Sequence, residues 1–227
     1  MNIREWLPIY SGICQELSIN PADDFLSSVR LSAILDQRPP KIPQELMGKE
    51  VSIFGPALKK YEELKSNELT VVADSGIGAF LSIYRRNPDI IVTDLDGDIS
   101  MIKRCSAEGT LLFVHSHGDN MGAIHDVVPT IEGNIIGTTQ NFPLHNIRNY
   151  FGFTDGDRSV FIAMALKACS ITIHGFDFAS PAVKESTRMD RKKEKLKIAE
   201  RLVSIADSEM RSAGLPGISF SGNNIGR

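Results

Sequence analysis

Between Val51 and Phe178 short apolar runs keep ending in Gly, Asp, His or Thr, and this recurrence is the tightest constraint on the fold. Val51-Ser52-Ile53-Phe54 leads into Gly55-Pro56, Leu69 to Ala73 into Asp74-Ser75-Gly76, and Ile90-Ile91-Val92-Thr93 into Asp94-Leu95-Asp96-Gly97-Asp98. Thr110 to Val114 leads into His115-Ser116-His117-Gly118-Asp119-Asn120, Asn134 to Gly137 into Thr138-Thr139-Gln140, and Ser170 to Ile173 into His174-Gly175-Phe176-Asp177-Phe178. Apolar runs this short read as strands buried on both faces. Helices are expected over 57–64, 78–85, 121–127, 157–168 and 188–210, the last packing through Leu196, Ala199, Leu202, Val203 and Ala206. Each crossover must carry the chain back over a sheet face, so the expected fold is α/β, doubly wound and mostly parallel. Ligands bind beyond the carboxyl ends of such strands, which puts all these polar ends on one rim.

The first part of the chain reads differently. Ile3 to about Asp36 has a helical pattern in which Asn20 caps, Pro21 takes the first helical position, and Asp23 and Asp24 favour the positive end of the dipole. Ala22, Phe25, Val29, Ala33 and Leu35 are expected to form its packing face. Arg38-Pro39-Pro40-Lys41-Ile42-Pro43 breaks the helix and divides a helical N-terminal preface, 1–45, from an α/β catalytic domain, 46–227.

Composition narrows the function classes. A hydrophobic share of 42%, a charged share of 23% and a net charge of −3 suit a globular domain and argue against nucleic acid as a partner. Apolar runs stay well short of the ~18 residues that span a membrane, and the first residues lack a signal-peptide core. Cys14, Cys105 and Cys169 stand singly, without disulfide or zinc spacing. A cytoplasmic location with reduced, buried thiols is expected.

The acidic strand end is the natural centre of chemistry. In extended backbone Asp94 and Asp96 project to one side, and Gly97 permits an immediate turn. Two carboxylates about 6 Å apart repel by roughly 3 kcal/mol at an effective dielectric of 20, a term that a hard cation such as Mg²⁺ reverses. A solvated acidic turn satisfies the same residues, and Asp98 is expected to cap the next helix. His115-x-His117-x-Asp119-Asn120 half-matches a dizinc pattern, but Asn120 stands where the last His ligand belongs. On a metal and phosphate rim, Asp119 suits an oxygen ligand and His115 or His117 suits donation to phosphate. Asp-x-Asp-Gly also resembles the haloacid-dehalogenase phosphatases, yet two βα units precede it here and the matching downstream acidic pair is missing. Gly55-Pro56 suits a turn offering backbone N–H groups to phosphate at a helix start. P-loop and dinucleotide fingerprints are absent from the sequence. Thr154 or Asp155 suits the cap of a helix, and Asp155 with Arg158 equally suits a polar heterocycle or a phosphate. The basic run Arg188, Arg191, Lys192, Lys193, Lys195, Lys197 and Arg201 reads as a solvated helix face whose first turn lies within reach of a triphosphate.

Together these blocks resemble the archaeal-type 6-hydroxymethyl-7,8-dihydropterin pyrophosphokinases, whose Rossmann-like core is similar to the catalytic domain of thiamine pyrophosphokinase. Thr93-Asp94-Leu95-Asp96-Gly97 followed by His115-Ser116-His117-Gly118-Asp119-Asn120 is the specific pair, and the other strand ends and Phe153 to Arg158 fall in order around it. Ser75 and Phe176 stand where Ala and Met are expected. The resemblance implies ATP and a hydroxymethyl-dihydropterin as partners, Mg²⁺ as cofactor, diphosphate transfer with AMP released, and leaves assembly into a homo-oligomer open. It implies metal binding by Asp94, Asp96 and Asp119, with His117 and Arg158 completing the catalytic set. Gly55, Pro56, Asp74, Ser75, Gly76, His115, Asn120, Thr138, Thr139 and Gln140 are expected around ATP, and Asp155, Phe176 and Asp177 around the pterin. Competing readings keep the fold and change the chemistry: thiamine or another hydroxymethyl heterocycle as acceptor, a sugar-nucleotide-dependent transferase, or a nucleotide-sensing module without turnover.

Overall fold

One parallel sheet organises the chain. Strands β1 (Glu50–Phe54), β2 (Leu69–Ala73), β3 (Ile90–Thr93), β4 (Leu111–Ser116), β5 (Ile135–Thr139), β6 (Ile147–Arg148), β7 (Ser170–His174) and β8 (Ser219–Ser221) lie in the order β6-β5-β4-β3-β2-β1-β7-β8. Every neighbouring pair is parallel. The structure, a computed structural model, describes residues 1–39, 41–178 and 189–221, so that Pro40 of the expected break and Arg188 of the last helix lie outside the described residues. Strand order reverses at β1, which has β2 on one side and β7 on the other. The rim beyond β1 and β7 is therefore the topological switch point where this class of fold binds ligands.

Seven helices cover the sheet among the described residues: α1 (Ile3–Leu17), α2 (Pro21–Leu35), α3 (Ile77–Tyr84), α4 (Ile99–Ala107), α5 (Met121–Val127), α6 (Asp155–Ala165) and α7 (Met189–Ser212). Trp6 and Ile13 of α1, Val160 and Ile162 of α6, and Leu202 and Ala206 of α7 share one core with Ile53, Val71 and Val92. Leu31 and Leu35 of α2, Phe80, Ile102 and Ile124 share the opposite core with Phe54, Val72 and Ile91. The two N-terminal helices thus straddle the sheet, α1 on one face and α2 on the other. None of the described helices is long and apolar enough to cross a membrane.

Most expected elements are present, and Asp98 caps α4 by accepting from Met101 N at 3.0 Å. Three expectations fail. Cys14 and Cys105 are buried, but Cys169, just before β7, is exposed. Residues 57–64 are not helical. The Tyr84 hydroxyl donates to the Glu62 carbonyl at 3.0 Å and accepts from Glu62 N at 3.3 Å, occupying the N–H a helix would have paired. The packing face of α2 is also not Ala22, Phe25, Val29 and Ala33, which are exposed; of that set only Leu35 is buried. Asp24, Ser27, Ser28 and Ser32 face inward instead, because their polar atoms find partners there, and Leu31 joins the apolar core beside them. Ser28 Oγ donates to Thr139 Oγ1 at 2.7 Å, and Ser32 Oγ to Asn146 Oδ1 at 2.6 Å. Small hydroxyl residues let the helix approach the strand ends closely. The short strands β6 and β8 carry too few residues to announce themselves by pattern.

Candidate active site

Strand β2 delivers Asp74 and strand β3 delivers Asp94 and Asp96 to the rim, and an oxygen from each lies within 4.8 Å of the others. Neighbouring parallel strands in register, Ala73 beside Val92, make this meeting possible. The strand ends at Thr93, so extended spacing does not pair Asp94 with Asp96; the turn does. Leu95 adopts the left-handed region at φ 68° and buries its side chain, an arrangement costing on the order of 1 kcal/mol that aims two carboxylates together. Asp74 is buried. Its Oδ2 accepts from Thr93 Oγ1 while its Oδ1 has no hydrogen-bond partner. Burial and the Asp94 charge push the Asp74 carboxyl up to about 6, against the Thr93 hydrogen bond and the pull of the Gly97 and Asp96 N–H groups. Burial and the adjacent Asp94 charge raise Asp96 as well. Asp94 is raised by burial, but the hydrogen bond and charge of His117 and the charge of Arg158 outweigh this and hold it below the usual range. Three mutually repelling carboxylates with oxygens this close together fit a hard divalent cation.

Behind the trio the β4 end is tightly braced. Asp119 N donates to His117 Nδ1 at 3.3 Å, which assigns the ring proton to Nε2, 3.3 Å from Asp94 Oδ2. Asn120 donates to the carbonyls of Asp94 and His115, both at 2.7 Å, and accepts from His117 N. Asn120 is thus a buried bracket tying β3 to β4. His115 is buried with Nδ1 at 3.1 Å from Thr138 Oγ1 and with Nε2 unpartnered, and burial keeps it neutral well below its ordinary value.

Arg158 is 1% exposed and also faces this cleft. It holds Asp155 Oδ1 at 3.0 Å and the Phe153 carbonyl at 2.9 Å, leaving Nε without a partner. Gly152, at φ 81°, allows the approach, since a Cβ there would stand 2.5 Å from Arg158 Cα. Asp155 is pushed up by burial and by Asp94, against the pull of Arg158. Thr154 begins α6 in a capping box with Asp157, which accepts from Thr154 N at 2.8 Å.

Most of these groups line a cleft of about 630 Å³, while Asp74 and Asn120, also expected around ATP, are buried behind its wall. Ser75, Asp94, Asp96, His115, His117, Asp119, Gln140, Asp155, Arg158, Phe176 and Asp177, all expected from the sequence, face it, together with Pro56. Asp119 is exposed at its edge and lies outside the trio, whose third member is Asp74. Gly55 and Gly76 are buried beneath, and the Gly55 and Ala57 N–H groups donate to the His174 and Gly175 carbonyls rather than opening a helix. Thr138 and Thr139 lie within β5, bonded to His115 and Ser28. Phe176 is wedged between backbones: a Cβ at Gly55 would stand 2.8 Å from its ring and one at Gly156 2.3 Å. The basic start of α7 contributes Arg191 and Lys192 from its first turn, as expected, and Lys195 from its second.

One wall has no counterpart in the sequence reading. Ser18, Ile19, Asn20, Asp23 and Asp24, from the α1–α2 junction, face the cleft. In the sequence they are indistinguishable from helix-start signals; the one hint is that Asp24 shares a helical stripe with Ser27, Ser28 and Ser32.

A family model described as "6-hydroxymethylpterin diphosphokinase MptE-like" matches residues 37–182. Among similar curated proteins, a 6-hydroxymethyl-7,8-dihydropterin pyrophosphokinase of Methanocaldococcus jannaschii is 34% identical over 89% of this chain and 95% of its own length. One from Methanothermobacter thermautotrophicus is 34% identical over 82% of this chain and 83% of its own, and one from Pyrococcus furiosus 33% identical over 89% and 93%.

Proposed function

Because the chain belongs to the MptE-like 6-hydroxymethylpterin diphosphokinase family, we propose that it transfers diphosphate from ATP to the hydroxymethyl group of 6-hydroxymethyl-7,8-dihydropterin, releasing AMP. Pyrophosphokinase chemistry of this kind asks little covalent help of the protein and much alignment and charge control. The observation carrying the reading is the Asp74, Asp94 and Asp96 trio, with one oxygen of each within 4.8 Å of the others, at the rim where nucleotides bind in such sheets. These carboxylates would hold a divalent ion such as Mg²⁺, with Asp119 at the exposed edge. When bound, the ion neutralises triphosphate charge.

The remaining roles fall to the chain's own groups. His117 fixes the orientation of Asp94 through Nε2–H. Ser75 and Pro56 border the nucleotide side, and the Arg191 and Lys195 charges favour a polyanion there. Arg158 Nε donates to a phosphate or ring acceptor. Asp155 and Asp177 accept from the N–H-rich edge of a pterin, with the Phe176 ring beside the heterocycle. His115 Nε2, buried and neutral, accepts a hydrogen bond from the bound substrate.

The test is product analysis. Purified protein with ATP, Mg²⁺ and the pterin alcohol should release AMP stoichiometrically with the diphosphorylated pterin, and neither should form without the alcohol or metal. ADP as product, or turnover indifferent to the pterin, would overturn the proposal. Thiamine and a nucleotide sugar in the same assay separate the other acceptors and donors.

A further inference from the structure

The α1–α2 junction forms a cleft wall, and one residue on it is wired into the site. Asp24 is 2% exposed. Its Oδ1 accepts from Gly118 N at 2.7 Å, and its Oδ2 accepts from Gln140 Nε2 at 2.6 Å and from Tyr10 OH at 2.6 Å. One carboxylate of α2 thereby grips the loop after β4, the end of β5 and helix α1 together. Gly118 directly follows His117, whose Nε2 meets Asp94. The loop also has no slack against α2, because a Cβ on Gly118 would stand 2.8 Å from Asp23 Cβ. Gln140 is held from its other side by Trp6 Nε1, which donates to its carbonyl at 2.7 Å.

We propose that Asp24 is a positioning residue of the diphosphokinase site, holding the His117–Gly118 loop so that His117 stays on Asp94. The proposal rests on the functional reading above and adds that α1 and α2 belong to the catalytic apparatus, although the matching family model begins only at residue 37. A carboxylate suits this position because three donors converge on it, and charge-assisted hydrogen bonds are the stronger kind. Removing it leaves a half-buried backbone N–H, a phenol and an amide without their partner, and frees the loop rather than the sheet.

The test compares Asp24→Ala with Ser32→Ala, which removes a hydrogen bond at the far end of the same helix. Displacement of a catalytic group by about 1 Å costs on the order of 100-fold. Asp24→Ala should therefore lower kcat about 30- to 100-fold with KM for ATP changed less than about threefold, while Ser32→Ala keeps kcat within about twofold. Asp24→Asn, which retains an acceptor for Gly118 N but turns a donor toward Gln140 Nε2 and Tyr10 OH, should lose less than Asp24→Ala without reaching wild type. Because Asp24 acts through His117, adding Asp24→Ala to His117→Ala should cost nothing further in kcat. Equal losses in Asp24→Ala and Ser32→Ala, or additive losses with His117→Ala, would overturn the proposal. Should Asp24→Ala not fold, Gly118→Ala pushes the same loop off α2 and should show the same loss confined to kcat. Amide exchange of the 115–121 peptide reads the loop without any turnover: protection should fall in Asp24→Ala and persist in Ser32→Ala. Unchanged exchange in Asp24→Ala refutes the positioning claim, whereas a wild-type protein that makes no AMP refutes the functional reading instead.

Discussion

Gly97 lies so close to Asp74 that a methyl group on it would stand 1.8 Å from Asp74 Oδ1 and 2.8 Å from its Cγ. Neither partner can easily yield. Asp74 is buried and anchored to Thr93, and Gly97 continues the turn that Leu95 sets at positive φ. The missing Cβ is therefore part of the acidic cradle: it lets the β3 turn close over Asp74 and bring the Gly97 and Asp96 N–H groups to its carboxylate.

Gly97→Ala should abolish most activity, at least 100-fold in kcat/KM, and lower stability by about 1–3 kcal/mol, the usual cost of forcing an atom into a packed site. Steady-state kinetics and urea melts check both. Wild-type-like kinetics would mean that the turn relaxes and that its close approach is incidental.

Asp74→Asn separates stability from function. The trio repels itself without a cation, so the metal-free variant should be more stable than metal-free wild type at pH 7.5, by about 1–2 kcal/mol. Added Mg²⁺ should raise the wild-type Tm by mass action and leave that of the variant nearly unchanged. Thermal melts with Mg²⁺ and with chelator make the comparison. A variant that Mg²⁺ stabilises as strongly as wild type would remove Asp74 from the cation site.

A second buried polar group gives a pH signature away from the cleft. His174 stacks on Phe54 with ring centroids 4.7 Å apart, has Nε2 2.9 Å from Ser52 Oγ, and faces Glu62 at 3.4 Å. Burial lowers its pKa, against the pull of Glu62 and Glu68. A depressed histidine means that the unfolded chain binds the proton more readily, so stability rises with pH and is lost as pH falls through the unfolded value of about 6.5. Between pH 7.5 and 5.5 wild type should lose about 1 kcal/mol more than His174→Gln, which keeps a polar partner for Ser52 but does not titrate. A smaller loss in wild type would show that the Glu62 attraction outweighs burial.

How far the sequence disclosed this site depends on the range of the interaction involved. Ile90 to Thr93 followed by Asp94 and Asp96 was legible because an apolar strand and its polar end are adjacent in the chain. Asp74 was legible as a polar strand end, but its partnership with Asp94 arises from β2 lying beside β3, a pairing that no local pattern encodes. The face of α2 was misread because hydrophobic periodicity assumes apolar contacts, and this helix docks through Ser27, Ser28 and Ser32. Residues 57–64 have acceptable helical propensity, yet Tyr84, some twenty positions away, captures the Glu62 backbone. Asp24 carried two signals at once, and the local one, an acid in a first helical turn, concealed the long-range one.

Phe176 and Gly156 offer a purely steric test of the cleft's aromatic side. A Cβ at Gly156 would meet Phe176 Cε1 at 2.3 Å and Cζ at 3.1 Å, so Gly156→Ala must displace the ring or the start of α6. Helix propensity alone favours alanine over glycine by about 1 kcal/mol, which gives the substitution a stabilising component to overcome. The clash should outweigh it, giving a net loss of about 1–2 kcal/mol. Truncating the ring removes the obstacle, so Gly156→Ala in a Phe176→Ala background should be neutral or stabilising, with the sign of its effect reversed. Urea melts of the two single variants and the double variant measure that reversal. The same ring truncation should raise KM for the pterin alcohol more than KM for ATP if Phe176 lies beside the heterocycle. An equal rise in both would mean that the ring only wedges the Gly55 and Gly156 backbones apart.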